Sequence, residues 1–199
     1  MWLLKSPEEK LDYHSCYYYK NVFSKEDCDR VIEQCSMLSQ IDATVGNPVS
    51  SQEVNKSIRT SSISWVPTEE SYQWIYRKCT DLVNIANKEF FNYNLDYIED
   101  LQFTRYDSST NSFYGKHHDI AQVNKGSYYR KLSFTIQLND PSSYSGGDLI
   151  LHDGSKPSII KRDLGEITLF PSYVLHEVTP VTAGIRNTLV GWVCGKPFR

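Results

Sequence analysis

The rhythm of hydrophobic and polar positions changes once along the chain, near residue 97. Before that point the longer periodic stretches are helical. Ser24 precedes KEDCDRVIEQCSML, where Val31, Ile32, Cys35 and Leu38 recur at helical spacing and predict an amphipathic helix. A serine in that place can accept from a first-turn amide, and Asp27 suits the positive end of the helix dipole. A second helix is predicted over PTEESYQWIYRKCTDLVNIANKEF, opened by Pro67 and Thr68 and carrying Trp74, Ile75, Leu82, Val83 and Ala86. YYYKNVF (17–23) predicts a short strand or an ordered lead-in, and IRTSSISWV (58–66) a strand. Residues 42–57 are polar, contain Gly46 and Pro48 and lack periodicity, so they predict a long surface loop of the lid or binding kind.

After residue 97 the texture becomes strand and turn. Strands are predicted at 100–106, 130–139, 148–152, 158–161, 166–170, 173–179 and 186–194. Asn139-Asp140-Pro141, Gly146-Gly147, Asp153-Gly154, Phe170-Pro171-Ser172 and Ala183-Gly184 mark the turns between them. Helices first and many short strands after predict an α+β fold, with helices packed on a double-sheet jelly roll. Residues 1–97 are then a helical support with a substrate loop, and 98–199 the core, in one compact domain.

Composition narrows this picture. Fourteen tyrosines and four tryptophans suit a β-rich fold with aromatic-lined pockets, and a net charge of −3 argues against a nucleic-acid partner. No apolar run reaches the roughly 18 residues of a membrane span. The opening MWLLKSPEEK does not read as a signal peptide, and the five cysteines lack any CxxC spacing. A soluble, cytoplasmic, monomeric protein with reduced thiols is expected.

Candidate chemistry begins at FYGKHHDI (113–120). If the segment is a strand, alternation puts His117 and Asp119 on one face and His118 on the other. An imidazole and a carboxylate side by side can take adjacent positions on a metal, and a second histidine would complete the two-His-one-carboxylate face of non-haem Fe(II) sites. His176, on the apolar strand PSYVLHEVTPV, is the natural partner; His152 beside a turn and His14 before the fold proper are competitors. HEVTPVTAGIR predicts a hairpin centred near Val181, with His176 and Arg186 across from each other. An inward arginine there can hold a dicarboxylate by a bidentate pair, and Thr188 shares its parity.

HHD at 117–119, LSFTIQLNDPSSYSGGDLILH and LFPSYVLHEVTPVTAGIRNTLVGW, taken together, resemble the 2-oxoglutarate oxygenases of the prolyl 4-hydroxylase type over roughly residues 98–196. The resemblance implies a double-stranded β-helix core. It implies Fe(II) held by His117, Asp119 and His176, with 2-oxoglutarate and O2 consumed and ascorbate sustaining the iron. It implies that Arg186 and Thr188 bind 2-oxoglutarate, helped by Tyr106, eleven residues before His117, and by Thr135 or Gln137 where relatives often carry tyrosine. A peptide or protein loop containing proline is the implied substrate, held by Arg59, Thr60, Ser61, Trp65 and Tyr114 beside the loop at 43–58. The segment DSSTNSF lacks the family's usual glycine, and the basic residue is arginine where collagen-modifying relatives have lysine. Asp119 favours hydroxylation over halogenation. The rivals are oxidation of another side chain or a small molecule, and a catalytically silent jelly-roll binding module. Demethylation of alkylated bases fits less well, because the second arginine that class carries is replaced by Trp192.

Overall fold

A computed structural model of the chain describes residues 15–47, 51–123, 127–154 and 156–197. His14, the opening MWLLKSPEEK and positions 48–50 of the expected loop lie outside them. The helix signal at Ser24 works in both directions. The Ser24 hydroxyl accepts from the Asp27 amide at 3.1 Å, and the Ser24 amide donates to the Asp27 carboxylate at 3.0 Å. Helix α1 (Lys25–Ser36) then buries Cys28, Val31 and Cys35. Helix α2 (Gln73–Ala86) begins later than expected, because the Val66 amide is still bonded to the Leu101 carbonyl and the next residues turn the chain away from the sheet. It runs on into a π-helical turn, Asn87–Phe91, which Asn92 closes in a left-handed conformation with φ 50°.

The first part of the chain supplies β1 (Tyr17–Tyr19), β2 (Ile41–Asp42), β3 (Val45–Asn47), β4 (Ser51–Glu53) and β5 (Ser62–Trp65). Next come β6 (Tyr97–Ile98), β7 (Gln102–Asp107), β8 (Tyr114–His117), β9 (Gln122–Val123) and β10 (Tyr128–Gln137). The remainder are β11 (Ser145–Gly146), β12 (Leu149–His152), β13 (Ser158–Ile159), β14 (Ile167–Pro171), β15 (Leu175–Val178), β16 (Val181–Ala183) and β17 (Ile185–Gly195). Their pairings are antiparallel. The large sheet runs β1-β14-β10-β17-β7-β5-β2, with β6 and β9 added beside β17 and β10. A four-stranded sheet, β13-β12-β15-β8, packs against it. The result is a mostly β architecture of jelly-roll type with two helices on one side.

Alternation along the large sheet explains why both of its faces are covered. Phe103, Phe134, Ile136, Leu169, Leu189 and Val193 join α1 and α2 in one dry core. The intervening residues Thr104, Thr135, Thr168 and Thr188 are equally buried but point the other way, toward the small sheet. Tyr106, Leu149, Leu151, Phe170, Val174 and Val178 close that second interface.

Two expectations need correction. The stretch 42–57 is not a structureless loop, since it carries the end of β2 and the β3–β4 ribbon; polar strands of three residues leave no hydrophobic signal to read. Nor does a hairpin form around Val181. β15 joins the small sheet, β16 pairs with β11, and β17 crosses to the large sheet. Pro180 has no amide to continue a ladder, and its carbonyl instead accepts from the Gly147 amide at 3.1 Å. A Cβ at Gly146, where φ is 72°, would lie 2.1 Å from that carbonyl oxygen, so the Gly-Gly turn permits the crossing. His176 and Arg186 therefore sit on opposite walls.

Candidate active site

Strand β8 ends at His117, so alternation does not carry through to Asp119. The carbonyl of Ser172 does the positioning: it accepts from the Asp119 amide at 2.9 Å and the Ile120 amide at 2.8 Å, which turns the Asp119 side chain inward. His176, on β15, is the cross-strand partner of His117. His118 is exposed, with its Nδ1 2.7 Å from the Tyr173 carbonyl, outside the cluster.

Both inward imidazoles are fixed by backbone. His117 Nδ1 lies 2.8 Å from the Gly115 carbonyl and His176 Nδ1 2.9 Å from that of Val174. A carbonyl only accepts, so each Nδ1 carries the proton and each Nε2 presents a lone pair. Those two atoms approach the Asp119 carboxylate to 3.6 and 3.5 Å. One ligand atom from each residue lies within 4.8 Å of the others. Burial, with His176 adding to it, pushes the His117 pKa down to about 4. Burial alone would raise the Asp119 carboxyl, but His176, His117 and the Ser133 hydroxyl outweigh it and hold it below its ordinary value. Near neutral pH the cluster is a carboxylate and a neutral imidazole facing lone pair to lone pair, a donor set that a divalent cation relieves and that non-haem iron suits.

The cluster opens into a cavity of about 600 Å³ between the two sheets. Arg186 reaches it from β17, 98% buried, with Nε lacking a hydrogen-bond partner among the described residues; its guanidinium lies 5.2 Å from the ring of Tyr106, its cross-strand partner. Tyr106, Thr188 and Thr135 line the same cavity. Gln137 does not, although it is buried; it sits one turn of alternation past the wall, at the closed end of β10.

On the other side, Tyr114 stacks on His117 with ring centroids 3.5 Å apart, and the Arg59 guanidinium lies 4.4 Å from the Tyr114 ring. Trp65 lines the mouth, 6.3 Å from Trp192. Thr60 and Ser61 are not on the wall. Thr60 accepts from the Phe113 amide, and Ser61 accepts from Arg59 Nε, so both support neighbours instead. Gln102 and Arg130 are among the wall residues that were not foreseen. Gln102 follows from the parity of Tyr106 along β7. Arg130 does not follow from parity with Thr135, because a β-bulge between Arg130 and Leu132 turns it inward. It makes a bidentate pair with Glu99 at 2.8 and 2.6 Å and lies over Trp192.

Comparison with known proteins agrees with this geometry. The profile of the 2OG-Fe(II) oxygenase superfamily matches residues 101–194. A PKHD-type hydroxylase of Escherichia coli, YbiX, is 30% identical over 185 residues, 89% of this chain and 77% of its own. The chain belongs to the 2-oxoglutarate–Fe(II) oxygenase superfamily. This oxygenase is also 36% identical over 96 residues to a PKHD-type hydroxylase of Gloeothece citriformis, matching 43% of it, less than half of that relative's length. Among solved structures the oxygenase shares its fold with a Pseudomonas putida prolyl-4-hydroxylase, at TM-score 0.68 and 21% identity over 92% of this chain and 94% of that one. It does so too with a Trichoplax adhaerens prolyl hydroxylase in complex with a hypoxia inducible factor peptide fragment, at TM-score 0.71 and 21% identity over 90% and 83%. The superfamily uses Fe(II), 2-oxoglutarate and O2, and its PKHD and prolyl 4-hydroxylase branches also use ascorbate. Among the described residues no helix is long and apolar enough to cross a membrane.

Proposed function

We propose that this oxygenase hydroxylates proline in a peptide or a flexible protein loop, releasing succinate and CO2. The observation that carries the reading is the wall-to-wall arrangement of one cavity: three lone-pair donors at one side, a buried arginine whose Nε has no partner among the described residues deep within, and an aromatic mouth. The P. putida prolyl-4-hydroxylase and the T. adhaerens prolyl hydroxylase, which share the fold, give the substrate class its precedent.

In this reading His117, Asp119 and His176 hold Fe(II), which with 2-oxoglutarate and O2 supplies the oxidising power. The Gly115 and Val174 carbonyls keep both histidines in the ligating tautomer. Arg186 binds the distal carboxylate of 2-oxoglutarate, a charge-assisted pair in a site that excludes water. Tyr106, Thr188 and Thr135 shape that pocket. Tyr114, Trp65 and Arg59 present the substrate, with Thr60, Ser61 and Gln137 acting behind the wall rather than on it. Residues 98–199 form the double-stranded β-helix core and residues 1–97 its support, with the β3–β4 ribbon over the mouth. The protein acts as a monomer in the cytoplasm, on neither membrane nor nucleic acid.

The test is succinate release with Fe(II), ascorbate and a panel of proline-containing peptides, read together with product mass. Proline gaining one oxygen atom is the expected result. Succinate released without any peptide gaining oxygen would remove proline as the target and keep the oxygenase chemistry.

A further inference from the structure

Three cations sit deep in the cavity wall, and they differ in how they are balanced. Arg130 is neutralised by Glu99 through two hydrogen bonds. Arg186 has no counter-ion among the described residues, and the proposed function, on which this inference rests, gives it the distal carboxylate of 2-oxoglutarate. Arg59 is left. It is 94% buried, yet its partners are all neutral: Nε donates to the Ser61 hydroxyl at 2.7 Å, Nη2 to the Gln102 side-chain oxygen at 2.8 Å, and its flat face lies on Tyr114. Among the described residues no carboxylate stands within 4.0 Å of it, and no hydrogen bond there uses Nη1. Gln102 is itself held by the Thr104 hydroxyl at 3.2 Å, so this neutral partner is fixed in place.

Charge counting over the cavity makes the imbalance definite. The wall carries Arg59, Lys116, Arg130 and Arg186 against Glu53 and Asp119. With Glu99 assigned to Arg130, the wall is left one positive charge in excess. A divalent metal and a dianionic co-substrate cancel each other and leave that excess unchanged. Glu53 and Lys116 are exposed and screened by solvent, so the buried member of the excess is Arg59. The protein as a whole carries −3, which makes a cationic cavity a local feature and not a reflection of composition. A buried guanidinium bonded only to neutral groups is stabilised most by a carboxylate brought to it.

We propose that the oxygenase selects substrates with an acidic side chain beside the residue it oxidises, and that Arg59 is the residue that reads the acid. Its place two stacked rings from the metal cluster, through Tyr114 to His117, puts the acid next to the reacting position. Gln102 sets the specificity, because a glutamate there would supply the missing counter-charge from within the wall.

The test compares peptides with Asp, or Asn in its place, flanking a central proline, and the same pair with alanine for proline. Dissociation constants are measured against the oxygen-free Fe(II) and 2-oxoglutarate complex. The acidic peptide should bind about tenfold more tightly than its amide twin, the effect of one charge-assisted hydrogen bond. Gln102→Glu and Arg59→Gln should each bring the two within about twofold. Gln102→Glu keeps the guanidinium and the side-chain shape, so it carries the test if Arg59→Gln does not fold. Equal binding of acid and amide by the unmodified protein, or an acid preference that survives Gln102→Glu, would overturn the proposal. An acid preference seen equally with the alanine pair, with no oxygen reaching proline, supports the Arg59 assignment and removes only the prolyl reading.

Discussion

The two faces of the large sheet are both buried, but they are finished differently. The face toward α1 and α2 is mostly apolar and closed: Phe103, Phe134, Ile136, Leu169, Leu189 and Val193 meet Cys28, Val31, Ile75 and Val83 in one core. The face toward the small sheet carries most of the buried side-chain polar atoms that lack a partner among the described residues. Gln137 Oε1, Glu166 Oε1 and Oε2, Arg186 Nε and Trp192 Nε1 all have this parity, while Asn187 Oδ1, at the start of β17, belongs to the other. Unpaired buried polar groups cost about 1–3 kcal/mol each. Of these residues Arg186 and Trp192 line the cavity, where a ligand can complete them, and Gln137 and Glu166 do not; one face of the sheet holds stability, and the cavity part of the other is held ready for binding.

The largest expected effect removes one of the proposed metal donors of the binding face. His176→Ala should lower Fe(II) affinity by more than the roughly 100-fold that losing an outer-shell partner costs, and abolish succinate release. His118→Ala, beside the proposed donor His117 but exposed and outside the cluster, should stay within about twofold in both. Metal titration and turnover check the pair, and equal losses would sink the ligand assignment. Arg186→Met comes next. It keeps the buried stem and removes the fork, so KM for 2-oxoglutarate should rise on the order of 100-fold, worth about 3 kcal/mol for a bidentate charged pair. Thermal stability should hold or improve, since a buried unpaired Nε leaves with the guanidinium. A KM within a few-fold of the parent would place the carboxylate elsewhere.

The finished face should respond in the opposite way. A Cβ at Gly191 would fall 2.2 Å from Phe134 Cζ and 2.8 Å from Leu101 Cδ2, in the dry core. Gly191→Ala should therefore cost about 1–3 kcal/mol by overpacking, a fall of several degrees in Tm. KM for 2-oxoglutarate should barely move. Pairing it with Phe134→Leu should return part of the loss, because the two share one space. Additive losses in the double variant would show that the clash is relieved some other way.

How much of this the sequence discloses depends on the range of the interaction. Cap, stripe and alternation are local, so α1, most of β10, β14 and β17, and the inward set His117, Asp119, His176 and Arg186 are legible. The reasons are only partly so. Asp119 faces inward through the Ser172 carbonyl, a contact across 53 residues that alternation along HHD cannot contain. The partner sheet of a strand is decided by long-range pairing, which is why a hairpin reading of HEVTPVTAGIR is reasonable locally and does not form. Arg130 is hidden for a related reason: a single bulged residue reverses every direction inferred beyond it. Thr60 and Ser61 have the composition of a substrate groove, yet their hydroxyls are taken up by Phe113 and Arg59. Tertiary satisfaction of a side chain leaves no trace in its neighbours along the chain.

The smallest effect separates a polar group that awaits a ligand from one that is merely tolerated. Glu166 is 1% exposed, precedes β14 with the parity of the cavity face, and has no partner among the described residues for either carboxylate oxygen. It does not line the cavity, so no ligand completes it. Burial raises its pKa above the ordinary 4.5 and Asp163 adds to that, with Lys20 and Lys161 opposing. A carboxyl with a raised folded pKa binds its proton better folded than unfolded. The stability this contributes is complete below pH 4.5 and is lost as pH climbs through the folded value. Glu166→Gln has no proton to lose and keeps the side-chain shape. It should match the parent near pH 4 and exceed it by about 1 kcal/mol at pH 7–8, measured by denaturant unfolding at each pH. A gain of equal size at both ends would mean that shape or hydrogen bonding, not charge, separates the two proteins. Glu166 would then belong with Arg186 and Trp192 as a group whose partner has still to arrive.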